Sequence, residues 1–406
     1  MQPSTTPDNH WSWSTRSGFA AARQCGELIL VGQQVALDAQ GRPLSPGEPL
    51  LQLHRCVDLA LDSLRAAGAD ARQVVKLLVY YVPGRGLDVS TITTVLRERI
   101  APPVPPVLTL VPVPYLAAPG IDVSLELVAS ARAGAPGATR AVVPEGRLAS
   151  GFSEGVRAGD FVFVGGQMAV DASGRVLHPG DIVEQSRRTM ERIEEVLQPL
   201  GATLDDVVKF NIYYVGEGTF EDWEVAARVR AGYFSEPGPV ATGIPVPRLE
   251  VDGLLIRMEV WAMPGSDGAR PPRRHSWPDG HWDWPIHLPY KHGLLCGDMF
   301  FVGGQVGIDS RGVVLDPGEI VPQTHRALDY IDRVLALLPG VERRHIAKST
   351  TFFQGSADPG EQDPHLAQRS QWLAPAGAVN TEVALPALAY RGMMTEIEVL
   401  GCRSRS

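Results

Sequence analysis

The chain has 406 residues, 44% of them hydrophobic and 20% charged, a globular balance long enough for two to four domains of roughly 100 to 200 residues each. A net charge of −9 without any Lys/Arg block excludes nucleic acid as a main partner, and no apolar run reaches the roughly 18 to 20 residues of a membrane span. The first twenty residues lack the apolar core of a signal peptide, and the four cysteines (Cys25, Cys56, Cys296, Cys402) contain no Cys-x-x-Cys pair, so a reducing cytoplasm is the expected setting.

In chain order, an apolar run first leads into Val31-Gly32-Gln33-Gln34, a turn at Asp38 to Gly41, Pro46-Gly47 and a second glutamine, Gln52. Leu53, Val57, Leu61 and Leu64 recur at close to helical spacing and predict a helix. A β-rich run over 74–82 follows, with Lys76 near its start, then a shorter helix over about 88–100 and two closing strands, the last carrying Glu126. After a linker over 131–146 the same order returns. It runs through Val164-Gly165-Gly166-Gln167, Asp171 to Gly174, Pro179-Gly180, Gln185, a strand over 207–215 with Lys209, a helix over about 220–234 and a last strand with Glu259. A second linker over 264–280 opens the third copy. There, Val302-Gly303-Gly304-Gln305, Asp309 to Gly312, Pro317-Gly318 and Gln323 precede a helix marked by Leu328, Ile331, Leu335 and Leu338, a strand over 346–354 with Lys348, a helix over about 364–373 and Glu398. The second glutamine stands 18 residues behind the first in every copy, and the lysines stand 133 and 139 residues apart. Such periods are whole domains, because solenoid repeats run at about 20 to 50 residues.

Each copy reads β-β-α-β-α-β-β, an α+β unit with one sheet and both helices on one side. The last strand alternates apolar and polar residues, as in Ile256-Arg257-Met258-Glu259-Val260, which predicts one covered and one polar face. Three such sheets can bury their bare faces around a common axis. Domains at 1–133, 134–270 and 271–406 are therefore expected to pack as an intramolecular pseudo-trimer, a monomer with internal pseudo-threefold symmetry. Glu126, Glu259 and Glu398 recur alongside a lysine and are expected to be paired structural carboxylates. Cys25 and Cys296 occupy equivalent positions, where a buried small residue is the expected reading and a nucleophilic thiol the alternative.

With these motifs the chain resembles the Rid/YjgF proteins, small homotrimers with a chorismate-mutase-like fold, over nearly its whole length three times. The resemblance implies hydrolysis of imines or enamines such as 2-aminoacrylate, without a cofactor, in clefts between neighbouring subunits. Here those clefts become three non-identical inter-domain clefts. The resemblance places the cleft aromatic on Phe19, Phe152 and Tyr290, and the motif glycine on Gly166 and Gly304. Gln33 stands at the glycine position of the first copy and either crowds that cleft or replaces its contact, because only glycine lacks a Cβ. The glutamate that handles water and protons falls on Ser124, Arg257 and Glu396. The arginine that clamps a substrate carboxylate falls on Leu108, Ala241 and Asn380, none of them cationic, so hydrolysis of 2-aminoacrylate is expected to be weak or absent. Arg391, Lys291 and Arg16 are candidates for a cation arriving from elsewhere.

His281-Trp282-Asp283-Trp284 lies nine residues before Tyr290, and His10-Trp11-Ser12-Trp13 lies nine before Phe19. On an extended segment Tyr290 and His292 face the same way, which makes His292 a candidate acid or base; an aromatic anchor for the leading segment is the competing reading of the motif. His281, His287 and His292 match no common zinc spacing, so no metal is expected, and no phosphate loop or Ser/His/Asp elbow is present. The expectation is a cofactor-free enzyme for a small imine, enamine or related carbonyl compound. Its site combines Glu396 and His292 as catalytic groups with Tyr290, Gly304, Asn380 and Arg391, while Phe19, Phe152 and Gly166 line the other clefts. A different hydrolase or lyase reaction in the same cleft, or a non-catalytic ligand-binding scaffold, are the alternatives.

Overall fold

The motif strands Leu28–Val35, Phe161–Gln167 and Met299–Val306 are rich in branched and aromatic residues, and each lies inside a six-stranded sheet. The structure, a computed structural model, describes residues 4–7, 18–116, 118–133, 139–142, 151–265, 269–356 and 358–403. His10-Trp11-Ser12-Trp13, Arg16 and most of the first linker lie outside these residues. The first sheet runs Ser4–Thr5, Ala22–Cys25, Leu28–Val35, Val123–Ser130, Val74–Tyr81, Val107–Pro112. All neighbours are antiparallel except the last pair, which is parallel and is joined through a helical crossover. The second sheet, from Thr139–Val142 to Val240–Val246, and the third, from Arg273–Ser276 to Val379–Leu385, repeat that order.

Helices α1 (Pro49–Ala66) and α2 (Val89–Arg99) belong to the first unit, α3 (Ile182–Leu197) and α4 (Glu224–Ala231) to the second, α5 (Ile320–Ala336) and α6 (Pro359–Leu373) to the third. The stripe Leu53, Cys56, Val57, Ala60 and Leu64 of α1 is buried on its sheet, as the spacing predicts. Helix α4 is shorter than 220–234 because a 3-10 turn, Phe220–Asp222, takes up its start. Helix α6 begins before 364, with Pro359 in its first turn and the Asp358 side chain accepting from Gly360 N at 2.8 Å. The second glutamines tie α1, α3 and α5 to the loop before the last strand. Gln185 Nε2 donates to Gly253 O (2.7 Å) while its Oε1 accepts from Leu255 N (2.8 Å), and Gln52 and Gln323 repeat the pattern on Gly120 and Gly392.

Two expectations change. A sixth, leading strand joins each sheet edge, and segments of only two to four residues such as Ser4–Thr5 and Arg273–Ser276 are too short for alternation to reveal. The polar residues of the last strands do not face solvent either: Ile256–Ala262 is buried throughout, Arg257 and Glu259 included. They point into the space between domains.

The inner faces of the three sheets meet in that space. Leu28, Leu30, Phe161, Phe163, Trp261, Met299, Phe301 and Leu400, from all three units, share one apolar cluster. Beside it Lys76 Nζ meets Glu259 Oε2, Lys209 Nζ meets Glu398 Oε2 and Lys348 Nζ meets Glu126 Oε1, each at 2.5 Å. Each lysine reaches the glutamate of another unit, and the three pairs close a ring from first to second to third to first. Thr109, Thr242 and Thr381 donate to the same carboxylates, satisfying oxygens that water cannot reach. The chain is thus three tandem units packed as an intramolecular pseudo-trimer. All four cysteines are buried, and burial raises the thiols of Cys25, Cys56 and Cys296, so these three do not act as nucleophiles at neutral pH. No helix among the described residues is long and apolar enough to cross a membrane.

Candidate functional site

Each motif strand shifts register where it passes its glycines, between Val31 and Gln34 in the first unit and between Val302 and Gln305 in the third, and this bulge brings its backbone against the edge strand of the preceding unit. A Cβ on Gly32, Gly165 or Gly303 would lie 3.0, 2.9 or 2.7 Å from the carbonyl oxygen of Asn380, Leu108 or Ala241. The first glycine therefore sets the contact between neighbouring domains. The next position faces the cleft, opposite Ser124, Arg257 or Glu396 on the last strand.

In the cleft between the first and second units, Gly166 leaves room for the side chain of Arg257, which is 3% exposed, donates to Leu110 O and pairs with Glu250. Phe152 is buried in the core of the first unit. Among the described residues, the Arg257 side chain occupies the space beside Gly166 in this cleft. Between the third and first units Gln33 does the filling: its Nε2 donates to Ser124 Oγ and Glu382 O, and its Oε1 accepts from Glu382 N, all at 3.0 Å. Where glycine is lost, the residue opposite has shrunk to serine. Asn380 sits here, donating to Glu382 Oε1 (2.8 Å), and Phe19 packs on the core of the third unit.

Between the second and third units the cleft opens into a narrow cavity of roughly 80 Å³. Tyr290, His292, Gly304 and Glu396 all line it. A Cβ on Gly304 would overlap the Glu396 carboxyl, so Gly304→Ala should displace that carboxyl and abolish ligand binding and turnover at the site with little change in melting temperature. A variant that kept full binding would contradict this placement. Gly304 N donates to Thr242 Oγ1 (3.1 Å) across the domain boundary, so its amide is engaged within the protein rather than turned to the cavity.

Glu396 is 3% exposed, and burial, with Glu398 adding to it against the opposing Lys209, pushes its pKa up to about 8. It is a neutral acid at pH 7. Tyr290 packs on Phe210 and Phe234, and burial pushes its hydroxyl up to about 12. The His-Trp motif is anchored on the motif glutamine: His281 Nε2 (2.8 Å) and Trp282 Nε1 (3.0 Å) both donate to Gln305 Oε1, and Gln305 Nε2 donates to Gly303 O (3.0 Å). His292 Nε2 donates to Trp282 O (3.0 Å), and burial, with His281 beside it, lowers its pKa to about 3. A histidine that stays neutral and is bonded to the anchor positions the cavity wall; it has little capacity to exchange protons at neutral pH. Trp282 and Trp284 continue the wall, ring centroids 5.1 Å apart, and Trp223 meets Trp284 at 5.0 Å. Among the described residues no three His, Cys, Asp or Glu side chains converge as a metal-binding group.

Four of the nine expected site residues therefore meet in one cavity, and the other five do not join them. Phe19, Phe152, Gly166 and Asn380 belong to the other two clefts, while Arg391 is exposed and does not line the cavity. Lys291 does line it, but its Nζ is held by Glu236 Oε1 at 2.5 Å and lies 5.2 Å over the Trp277 ring. The residue that sequence reasoning missed is Arg230, on the last turn of α4, 4% exposed and on the cavity wall. A signal was there to be read: Arg97, Arg230 and Arg369 repeat at 133 and 139 residues, the period of the lysines.

Comparison with known proteins agrees with the fold. The Endoribonuclease L-PSP family model matches residues 145–263 and 285–402, more than half of the chain. A RutC family protein of Pyrococcus abyssi is 36% identical over 111 residues, 27% of this chain and 84% of that protein. Its counterpart in Pyrococcus horikoshii is 33% identical over 111 residues, 27% of this chain and 85% of that protein. The crystal structure of a chorismatase superposes with a TM-score of 0.54 at 14% identity, covering 82% of this chain and 93% of the other, a likeness of fold that extends well beyond a single repeat.

Proposed function

The chain belongs to the Endoribonuclease L-PSP family, the Rid/YjgF proteins, and from that premise we propose that it is a cofactor-free hydrolase of a small imine, enamine or related carbonyl compound, acting as a monomer in the cleft between its second and third repeats. The observation that carries this reading is the neutral, buried carboxyl of Glu396 on the wall of an aromatic-lined cavity, where the two equivalent positions have become Ser124, bonded to Gln33, and Arg257, bonded to Leu110 O. For an imine, Glu396 gives its proton to the nitrogen as water adds to the C=N carbon, and the carboxylate so formed takes a proton from that water. The resulting carbinolamine receives the proton on its nitrogen, the carboxylate accepts the hydroxyl proton as the C=O bond forms, and ammonia leaves. The carboxyl ends as it began.

The aromatic walls favour a substrate with a larger, flatter body than 2-aminoacrylate. Imino acids produced in situ by an amino-acid oxidase from phenylalanine, tryptophan and alanine make a direct test. Accelerated ammonia release is expected for the aromatic members, with little for the small one, and no acceleration on any member would reject the imine reading. Light scattering at micromolar concentration should give the mass of one chain, since the internal packing takes the place of a homotrimer; a trimer mass would refute that.

A further inference from the structure

We propose that Arg230 is an anion receptor in this cavity and that the compound bound there is a small, flat organic carboxylate. The proposal deepens the hydrolase reading and rests on it only for the location of the site. Its basis is a comparison of the repeats within the molecule. Arg97, Arg230 and Arg369 hold the same place on the second helix of each unit. Arg369, fully buried, finds partners for both terminal nitrogens: Nη1 donates to Thr351 Oγ1 and Nη2 to Glu382 Oε1, both at 2.9 Å, while its Nε has none among the described residues. The residues matching Thr351 and Glu382 in the second repeat are Ile212 and Gly243, and both line the cavity. Neither side chain offers an acceptor.

Arg230 is left with Nε and Nη1 buried and without a hydrogen-bond partner among the described residues. The hydroxyls of Tyr214 and Tyr290 stand close enough to influence its charge, Tyr290 within reach of a weak interaction with the guanidinium, yet neither hydroxyl is aligned for a full hydrogen bond to it. The carboxyls on the wall do not compensate it. Glu396 is neutral, and Asp283 accepts from Trp284 N (2.7 Å) and feels His287 and Lys291 rather than Arg230. An uncompensated buried guanidinium is strongly unfavourable, and its unbonded N–H groups, together with the Tyr214 and Tyr290 hydroxyls beside them, can all donate to an anion. Such a surface is completed by an anion with two oxygens. A guanidinium fork binds a carboxylate through two parallel bonds, and the faces of Trp223, Trp282 and Trp284 suit a flat, apolar body attached to it.

Benzoate, with benzamide as its neutral match, tests this without turnover. Calorimetry and quenching of tryptophan fluorescence should show benzoate binding to the wild type, with benzamide about tenfold weaker or more. Arg230→Gln should lower benzoate affinity by about tenfold or more and leave benzamide within about twofold, and Arg230→Lys should fall between. Without ligand, Arg230→Gln should melt above the wild type, because it removes a buried unpaired charge, and benzoate should raise the melting temperature of the wild type but not of this variant. Three results would each overturn the proposal: no saturable benzoate binding, equal affinity for benzoate and benzamide in the wild type, or an Arg230→Gln variant that melts lower and weakens both probes alike. A hydrolase reading lost through an inert Glu396 would leave these binding results standing, and their failure would leave hydrolysis of a neutral substrate open to assay.

Discussion

Replacing Glu396 by glutamine should cut turnover by about a hundredfold or more while the protein stays folded, because the amide keeps the shape and hydrogen bonds of the neutral acid but has no proton to exchange. Changes at Ser124 or Arg257 lie in other clefts and should not remove this activity. The pH profile carries the same information. The groups acting on Glu396 are Glu398, which raises its pKa, and Lys209, which lowers it, and with burial they place it at about 8. The acid form is present below that value, so activity should fall as pH rises through about 8. Stability has the same sign: the folded pKa lies above the ordinary 4.5, so the unfolded chain loses this proton first. The contribution of the group is full below about pH 4.5, declines by about 1 kcal/mol per pH unit above it and is gone beyond about pH 8. Glu396→Gln does not titrate, so it should melt close to the wild type at pH 5 and above it at pH 9. A variant with wild-type turnover, or a wild-type rate flat from pH 7 to 9, would remove Glu396 from the chemistry.

Lys209→Met should lower stability by about 3 to 5 kcal/mol, the largest loss expected from a single change away from the cavity. Burial alone would raise the pKa of Glu398, but Lys209, Thr242 and Lys348 act against it and hold the carboxyl below its usual range. Removing Lys209 leaves that charge in a space closed by all three domains, with Thr242 Oγ1 (2.6 Å) and Asn211 Nδ2 (3.1 Å) as neutral donors. Pairing the change with Glu398→Met should recover most of the loss, since the penalty lies in the orphaned charge. Denaturant titration of the wild type, the single and the double variant measures this. A single variant as stable as the wild type would show that the ring contributes nothing to closure.

Much of the architecture can be read directly from residues. The thrice-repeated Gly-Gln strand, the second glutamine 18 positions behind and the lysine and glutamate that follow at a common period place the sheets, helices and axis pairs, because each feature is a local pattern copied with its spacing intact. The set Tyr290, Gly304 and Glu396 came from the family resemblance instead, since the positions equivalent to Glu396 in the other copies are Ser124 and Arg257 and no repeat within the chain marks it. Which clefts are open was legible in neither. That depends on side chains from different domains that meet only after closure: Gln33 of the first unit filling against Glu382 of the third, Arg257 turning from the second toward Leu110 of the first, and Ile212 and Gly243 leaving Arg230 without the partners that Arg369 finds in Thr351 and Glu382. Periodicity specifies where a residue sits within its own unit, but a cavity is the volume left after neighbouring units have packed, and its charge depends on which buried groups found partners across the boundary.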